Sequence, residues 1–179
     1  MEPLSSSNKK RRAQAFSGEF LIAYFIFSLA FITAIYLWEN INSDMVASGH
    51  IYEIEETSVD TAEKLVNTRG LPDNWSSGGE IFSIGLVNDS RILDQGKILK
   101  FIEIMNSSNS NYEDNKYLIG IGKYDFYFNI TDINGSGKVI GNQSLSAGKS
   151  PSNETNKITV VRTAILGDEI VRIRLTLWN

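Results

Sequence analysis

The sequence has no cysteine, which excludes disulfides, thiolate metal centres and a cysteine nucleophile. Its one histidine is His50, so a histidine triad or a multi-histidine zinc site would have to rest on a single residue without visible partners. Basic residues are scarce beyond the opening run Lys9, Lys10, Arg11 and Arg12. Without residues 1–13, which also hold Glu2, 13 basic and 20 acidic side chains remain, a net charge of −7. That balance argues against a nucleic-acid partner, because phosphate binding needs clustered cations. Two motifs are imitated and not completed. Gly135-Ser136-Gly137-Lys138 looks like the end of a phosphate-binding loop, but Asp132 holds the upstream glycine position and Val139 follows the lysine. Asp132, Asn134 and Ser136 look like half a calcium loop, but its twelfth position is Gln143. Both stretches read as a turn. No catalytic residue, metal site or cofactor is assigned, and the sequence does not read as an enzyme.

What is present begins with an apolar run. Phe20 to Trp38 is 19 residues without a charge, fenced by Glu19 and Glu39. As a helix it spans roughly 28 Å, close to the hydrocarbon core of a bilayer. The preceding cations predict a cytoplasmic N-terminus and an extracellular remainder, a single-pass arrangement in the cell membrane. A secretory signal has a shorter apolar region of ~7–15 residues and a small-residue cleavage site beyond it. Ala47, Ser48 and Gly49 could form such a site, but this run is longer and more aromatic. It holds most of a group of eight aromatic residues between Phe16 and Trp38, out of 19 in the chain. A retained anchor fits it better.

The junction ahead of that run carries more information than an anchor needs. Arg11-Arg12-Ala13 followed by Gln14-Ala15-Phe16-Ser17 resembles the class III signal peptide of archaeal type IV pilins. The resemblance implies that a prepilin peptidase cuts between Ala13 and Gln14 and that the helix is kept. It also implies partners: other pilin subunits and the pilus assembly platform, in a cell-surface filament whose core is built from these helices. Glu19, Phe20, Tyr24, Phe27 and Phe31 would then be assembly residues, with aromatic side chains interlocking as helices pack. In pilin-like helices an early carboxylate pairs with the new amine of a neighbouring subunit. Glu19 is sixth from Gln14, whereas the bacterial pattern has it fifth. The other reading of Glu19 is a membrane boundary marker that suits the helix dipole. Without polymerisation, the same features describe a membrane-anchored extracellular binding or adhesion module.

Four segments follow: a leader 1–13, an assembly helix 14–38, an amphipathic continuation 39–69 and an extracellular domain 70–179. In the continuation, Ile41, Met45, Ile51, Ile54, Val59, Ala62, Leu65 and Val66 recur mainly at spacings of three and four. Gly49 leaves open one stalk of roughly 50 residues or two helices, and Gly70 with Pro72 should end the pattern. Beyond it, 81–87 reads as a strand, 96–105 and 112–120 as short helices, and 124–133 as a strand. Residues 138–146 could pair with that strand across Asn134-Gly135. Segment 141–157 reads as a mobile loop. The tail reads as a hairpin turning at Gly167-Asp168, with Val171, Ile173, Leu175 and Leu177 on one buried face. The fold class is therefore α+β: a long N-terminal hydrophobic helix packed against an antiparallel sheet with short helices. A looser pilin-like resemblance lies in the turn Gly70-x-Pro72-x-x-Trp75, the strand Tyr124–Ile130 and a last strand ending in Trp178.

Asn-x-Ser/Thr sequons stand at Asn74, Asn88, Asn106, Asn129, Asn134, Asn142 and Asn153. From 16 Asn and 29 Ser plus Thr in 179 residues, chance gives about 2.6. Seven is an excess that marks candidate N-glycosylation sites, although an Asn- and Ser-rich surface produces some by composition alone.

Overall fold

The computed structural model describes residues 7–151 and 157–179, without the side chains of 7–17, 43–44 and 46–48. It is an α+β fold with two compact units, Met1–Gly49 and His50–Asn179.

Helix α1 covers Ser7–Asn67. In the first unit nothing interrupts it, since no glycine or proline occurs between Gly18 and Gly49. Gly49 itself is helical. Thr33 turns its hydroxyl back onto the Leu29 carbonyl at 2.8 Å, and the Phe27 and Phe31 rings stack with centroids 6.1 Å apart.

The second unit holds the remaining elements. Strand β1 (Gly70–Leu71) pairs antiparallel with β2 (Ser83–Ile84), across a 3-10 turn at Trp75–Ser77. Then come β3 (Val87–Asp89), β4 (Ile92–Leu93), α2 (Gln95–Ile104) and α3 (Tyr112–Ile119). Strand β5 (Asp125–Thr131) is followed by a small hairpin of β6 (Val139–Ile140) and β7 (Gln143–Ser144), and by β8 (Ser146–Gly148). The long strands β9 (Lys157–Leu166) and β10 (Glu169–Trp178) close the chain. Six strands form one sheet in the order β3-β4-β9-β10-β5-β8.

The core lies between the inner face of this sheet and the helices. Ile54, Ser58, Thr61, Ala62, Leu65 and Val66 form the buried stripe of α1, at the spacing a one-sided helix requires. They share a core with Phe126, Phe128 and Ile130 of β5 and Val171, Ile173, Leu175 and Leu177 of β10. Helix α2 adds Ile98, Phe101 and Ile102, and Phe101 meets Phe128 edge-on with centroids 4.9 Å apart. The Asp94 side chain accepts from the Lys97 amide at 2.8 Å and so caps the start of α2.

Several expectations change. The sheet is mixed, because β4 runs parallel to β9, while its other pairs are antiparallel. Residues 81–87 are not one strand: Gly85 lies where a side-chain carbon would sit 2.0 Å from the Thr68 carbonyl oxygen, so the chain divides there between two sheets. Helix α1 stops at Asn67, before Gly70, and its buried stripe starts only at Ile54; Ile41, Met45 and Ile51 are exposed. Within 138–146, β6 and β7 pair with each other, and the partner of β5 is β8, supplemented by a bridge from Thr131 to Gly137. Part of 141–157 is therefore strand, and residues 152–156 lie outside the description. The helices at 96–105 and 112–120, the strand at 124–133 and the final hairpin match their sequence patterns within a few residues.

Phe101 is fully buried at the meeting of α2 and β5. Phe101→Ala should cost about 3–5 kcal/mol of unfolding free energy, measured by denaturant titration of the detergent-solubilised chain.

Candidate functional site

The segment Gly18–Asn42 is 25 residues, and its most apolar stretch of 18 has a mean hydropathy of 2.3; it is long and apolar enough to cross a membrane. Phe20, Tyr24, Phe27 and Phe31 are all exposed within it, as is Glu19. The exposure has no preferred side: Leu21, Ile22, Phe25, Ile26 and Leu29 are open as well. A helix apolar all round needs an apolar environment on every side. Arg11, Arg12, Ala13 and Gln14 lie on the helical backbone, and their side chains are outside the description.

The motif Gly70, Pro72 and Trp75 is one packed junction. Trp75 is fully buried, and its indole N–H is shared between the carbonyls of Arg69 at 3.1 Å and Gly85 at 3.0 Å. The Pro72 carbonyl accepts the Trp75 amide at 3.0 Å, which forms the turn. Gly70 has φ +85, and a side-chain carbon there would approach the indole to 2.6 Å and the Ser83 carbonyl oxygen to 2.8 Å. Glycine is therefore required twice over, for conformation and for space.

Lys97 reaches the same junction from α2. Its ammonium donates to the Arg69 carbonyl at 2.8 Å and the Val87 carbonyl at 2.9 Å. Burial lowers its pKa, since desolvation disfavours the charged form. Lys64 does similar work elsewhere. It donates to the Leu118 carbonyl at 3.1 Å, while the Thr61 hydroxyl reaches the Ile119 carbonyl at 3.4 Å, so α1 caps the C-terminal end of α3. Burial lowers the Lys64 pKa too. Each cation sits where a helix end or loop offers carbonyl dipoles.

No family model matches this chain, and no curated protein or solved structure matches it either.

A third cluster is ionic. Lys116 is buried between Glu113 at 2.6 Å and Asp125 at 3.4 Å, and Lys149 pairs with Asp125 at 2.9 Å. Both ammonium groups lie 5.6 Å from the centre of the Tyr112 ring. The Tyr112 pKa is raised, chiefly by burial and then by the nearby Asp125 and Glu113 charges. Among the described residues no group of three His, Cys, Asp or Glu side chains is arranged to hold a metal ion. His50 is exposed, 3.9 Å from Glu53. At the imitated calcium loop, Asp132 accepts the Ser136 amide on its side chain at 2.8 Å, and its backbone N–H and C=O bond Ser136 and Gly135. The stretch is a closed turn.

The sequons occupy different settings. Asn74, Asn106, Asn134 and Asn142 are exposed. Asn88 is exposed but donates to Asp94 at 2.7 Å. Asn129 is half-buried in mid-strand, between Arg174 of β10 and Ser146 of β8. Asn153 lies outside the described residues.

Sequence reasoning missed Lys97 and Lys116, although Lys97 does fall on the apolar spacing 97, 101, 105 of its own helix. A lysine on such a stripe is the signal that could have found it.

Trp75→Phe keeps the aromatic bulk and removes the indole donor, leaving the Gly85 carbonyl unsatisfied. It should cost about 1–3 kcal/mol, read as a lower denaturant midpoint at unchanged slope.

Proposed function

We propose that this chain is a pilin-like structural subunit of an archaeal type IV pilus-like surface filament. A prepilin peptidase cuts it between Ala13 and Gln14, the helix from Gln14 holds it in the membrane, and the assembly platform packs that helix among those of other subunits. The carrying observation is the basic leader and Ala13-Gln14 junction placed directly before a helix apolar on all sides. A cut at that point keeps the helix, and its exposed rings at Phe20, Tyr24, Phe27 and Phe31 suit lipid first and neighbouring helices afterwards. The acidic, cysteine-free body would stand outside the cell, with the exposed sequons Asn74, Asn106, Asn134 and Asn142 as its best-presented glycan acceptors. A second reading uses the same helix as a permanent anchor for a binding or adhesion module, and it is favoured by Glu19 lying one position beyond the bacterial spacing.

Mature protein from membranes should begin at Gln14, by intact mass or N-terminal sequencing. Ala13→Arg should block that processing, because a pocket sized for Gly or Ala excludes arginine, and leave a heavier, inserted chain. Normal maturation of the variant would remove the class III assignment.

Ala30 lies near the middle of the apolar segment. Ala30→Asp costs only ~2.5–3.5 kcal/mol on membrane insertion, which the rest of the run can absorb. In a packed filament core the same charge is buried without a partner and repeated in every subunit. The variant should therefore be processed and inserted yet absent from filaments sheared off cells. If the unmodified chain is itself found only in membranes, the anchored module is the correct reading.

A further inference from the structure

The outer face of the sheet is not an ordinary solvated surface. The register pairs Ile165 of β9 with Ile92 of β4 on one side and with Ile170 of β10 on the other. These three form a row across three strands and are 41%, 45% and 57% exposed respectively. Val161 lies on the same face, opposite Arg174, and is also exposed. Arg172 and Arg174 alternate with the inward Val171, Ile173 and Leu175, so they stand among these apolar side chains on the outside. Neither arginine takes part in an ion pair among the described residues.

A face of opposite sign lies across the core. The stripe of α1 from Ile54 to Val66 points into the core, so Tyr52, Glu55, Glu56 and Asp60 point away from it, and all four are exposed. The neighbouring carboxylates are already engaged: Glu53 with Lys123 at 2.9 Å and Glu63 with Arg162 at 2.6 Å. Glu55, Glu56 and Asp60 have no such partner among the described residues. Glu56 and Asp60 are also one helical turn apart, where like charges destabilise a helix unless something opposite answers them.

The geometry points to a contact between copies of this chain, in which the Tyr52, Glu55, Glu56 and Asp60 face of one copy docks on the Val161, Ile165, Arg172 and Arg174 face of the next. The argument is complementarity. Each face joins exposed apolar groups to unpaired charges, the signs are opposite, and the two lie on opposite sides of the same core. A copy that uses one face leaves the other free. The contact is therefore heterologous, and it repeats head to tail and does not close as a dimer. It rests on the filament reading above, for which it supplies the outer contact between subunits.

The absence of cysteine gives a clean test in the full chain, in its own membrane. Glu56→Cys with Val161→Cys should give, on mild oxidation, a ladder of disulfide-linked multimers on a non-reducing gel. Each single variant should give dimers at most. Adding Arg172→Glu and Arg174→Glu to the double variant should reduce the ladder roughly tenfold or more, and further adding Glu55→Arg and Asp60→Arg should restore it. That recovery separates charge complementarity from misfolding. A double variant that yields only dimers, or Val161→Cys alone dimerising as well as the pair, overturns the head-to-tail contact. If that happens while unmodified chain is present in sheared filaments, the filament reading stands and only this interface is wrong. If the ladder forms and sheared filaments lack the chain, the contact stands and the filament reading falls.

Discussion

The second unit depends on how the C-terminal end of α1 is satisfied. A helix ends with carbonyls that have no partner within it, and here those groups are enclosed by protein. The Lys64 carbonyl accepts from the Thr68 amide and hydroxyl at 3.0 and 2.8 Å. The Leu65 carbonyl accepts from the Leu86 amide at 3.0 Å and the Val66 carbonyl from the Arg91 amide at 2.9 Å. Just beyond, the Arg69 carbonyl takes the Trp75 indole and the Lys97 ammonium together. The segment from β2 to α2 is thus wrapped around one helix end, and the space at Gly70 and Gly85 is what allows it so close.

The same closure sets the sheet. Arg91 has φ +62, a conformation uncommon for a residue with a side chain. In that conformation its amide reaches Val66 of α1 while its carbonyl accepts the Ile165 amide of β9 at 2.7 Å. One strained residue therefore joins the helix end to the long hairpin and fixes β4 alongside β9 in the parallel sense. The β3–β4 and β9–β10 pairs are antiparallel across short connections. The β4–β9 pair has no short connection, and the helix end supplies the alignment in its place.

Charge is distributed according to the same geometry. Lys64, Lys97 and Lys116 are drawn inward because each meets carbonyls or carboxylates that need a cation. Buried charges persist only when paired or hydrogen-bonded in this way. Among the described residues, Arg172 and Arg174 on the outside have no ion-pair partner, and neither do Glu55, Glu56 and Asp60.

The sequence by itself determined whatever depends on neighbours along the chain. The apolar run was legible because a bilayer-length segment needs only composition and length. Helices α2 and α3 and the β9–β10 hairpin were legible because periodicity and a Gly-Asp turn specify them locally. The motif Gly70, Pro72 and Trp75 was visible as a turn. Only the tertiary structure decided what that turn does, because the acceptors of the Trp75 indole include the Gly85 carbonyl, ten residues away. It alone decided that Lys97 is buried, since its partner at Arg69 is 28 positions distant. It also divided 81–87 between two sheets and made one strand pair parallel. Those features arise where the end of α1 meets segments remote in sequence, and no local pattern of side chains records which carbonyl will need which donor.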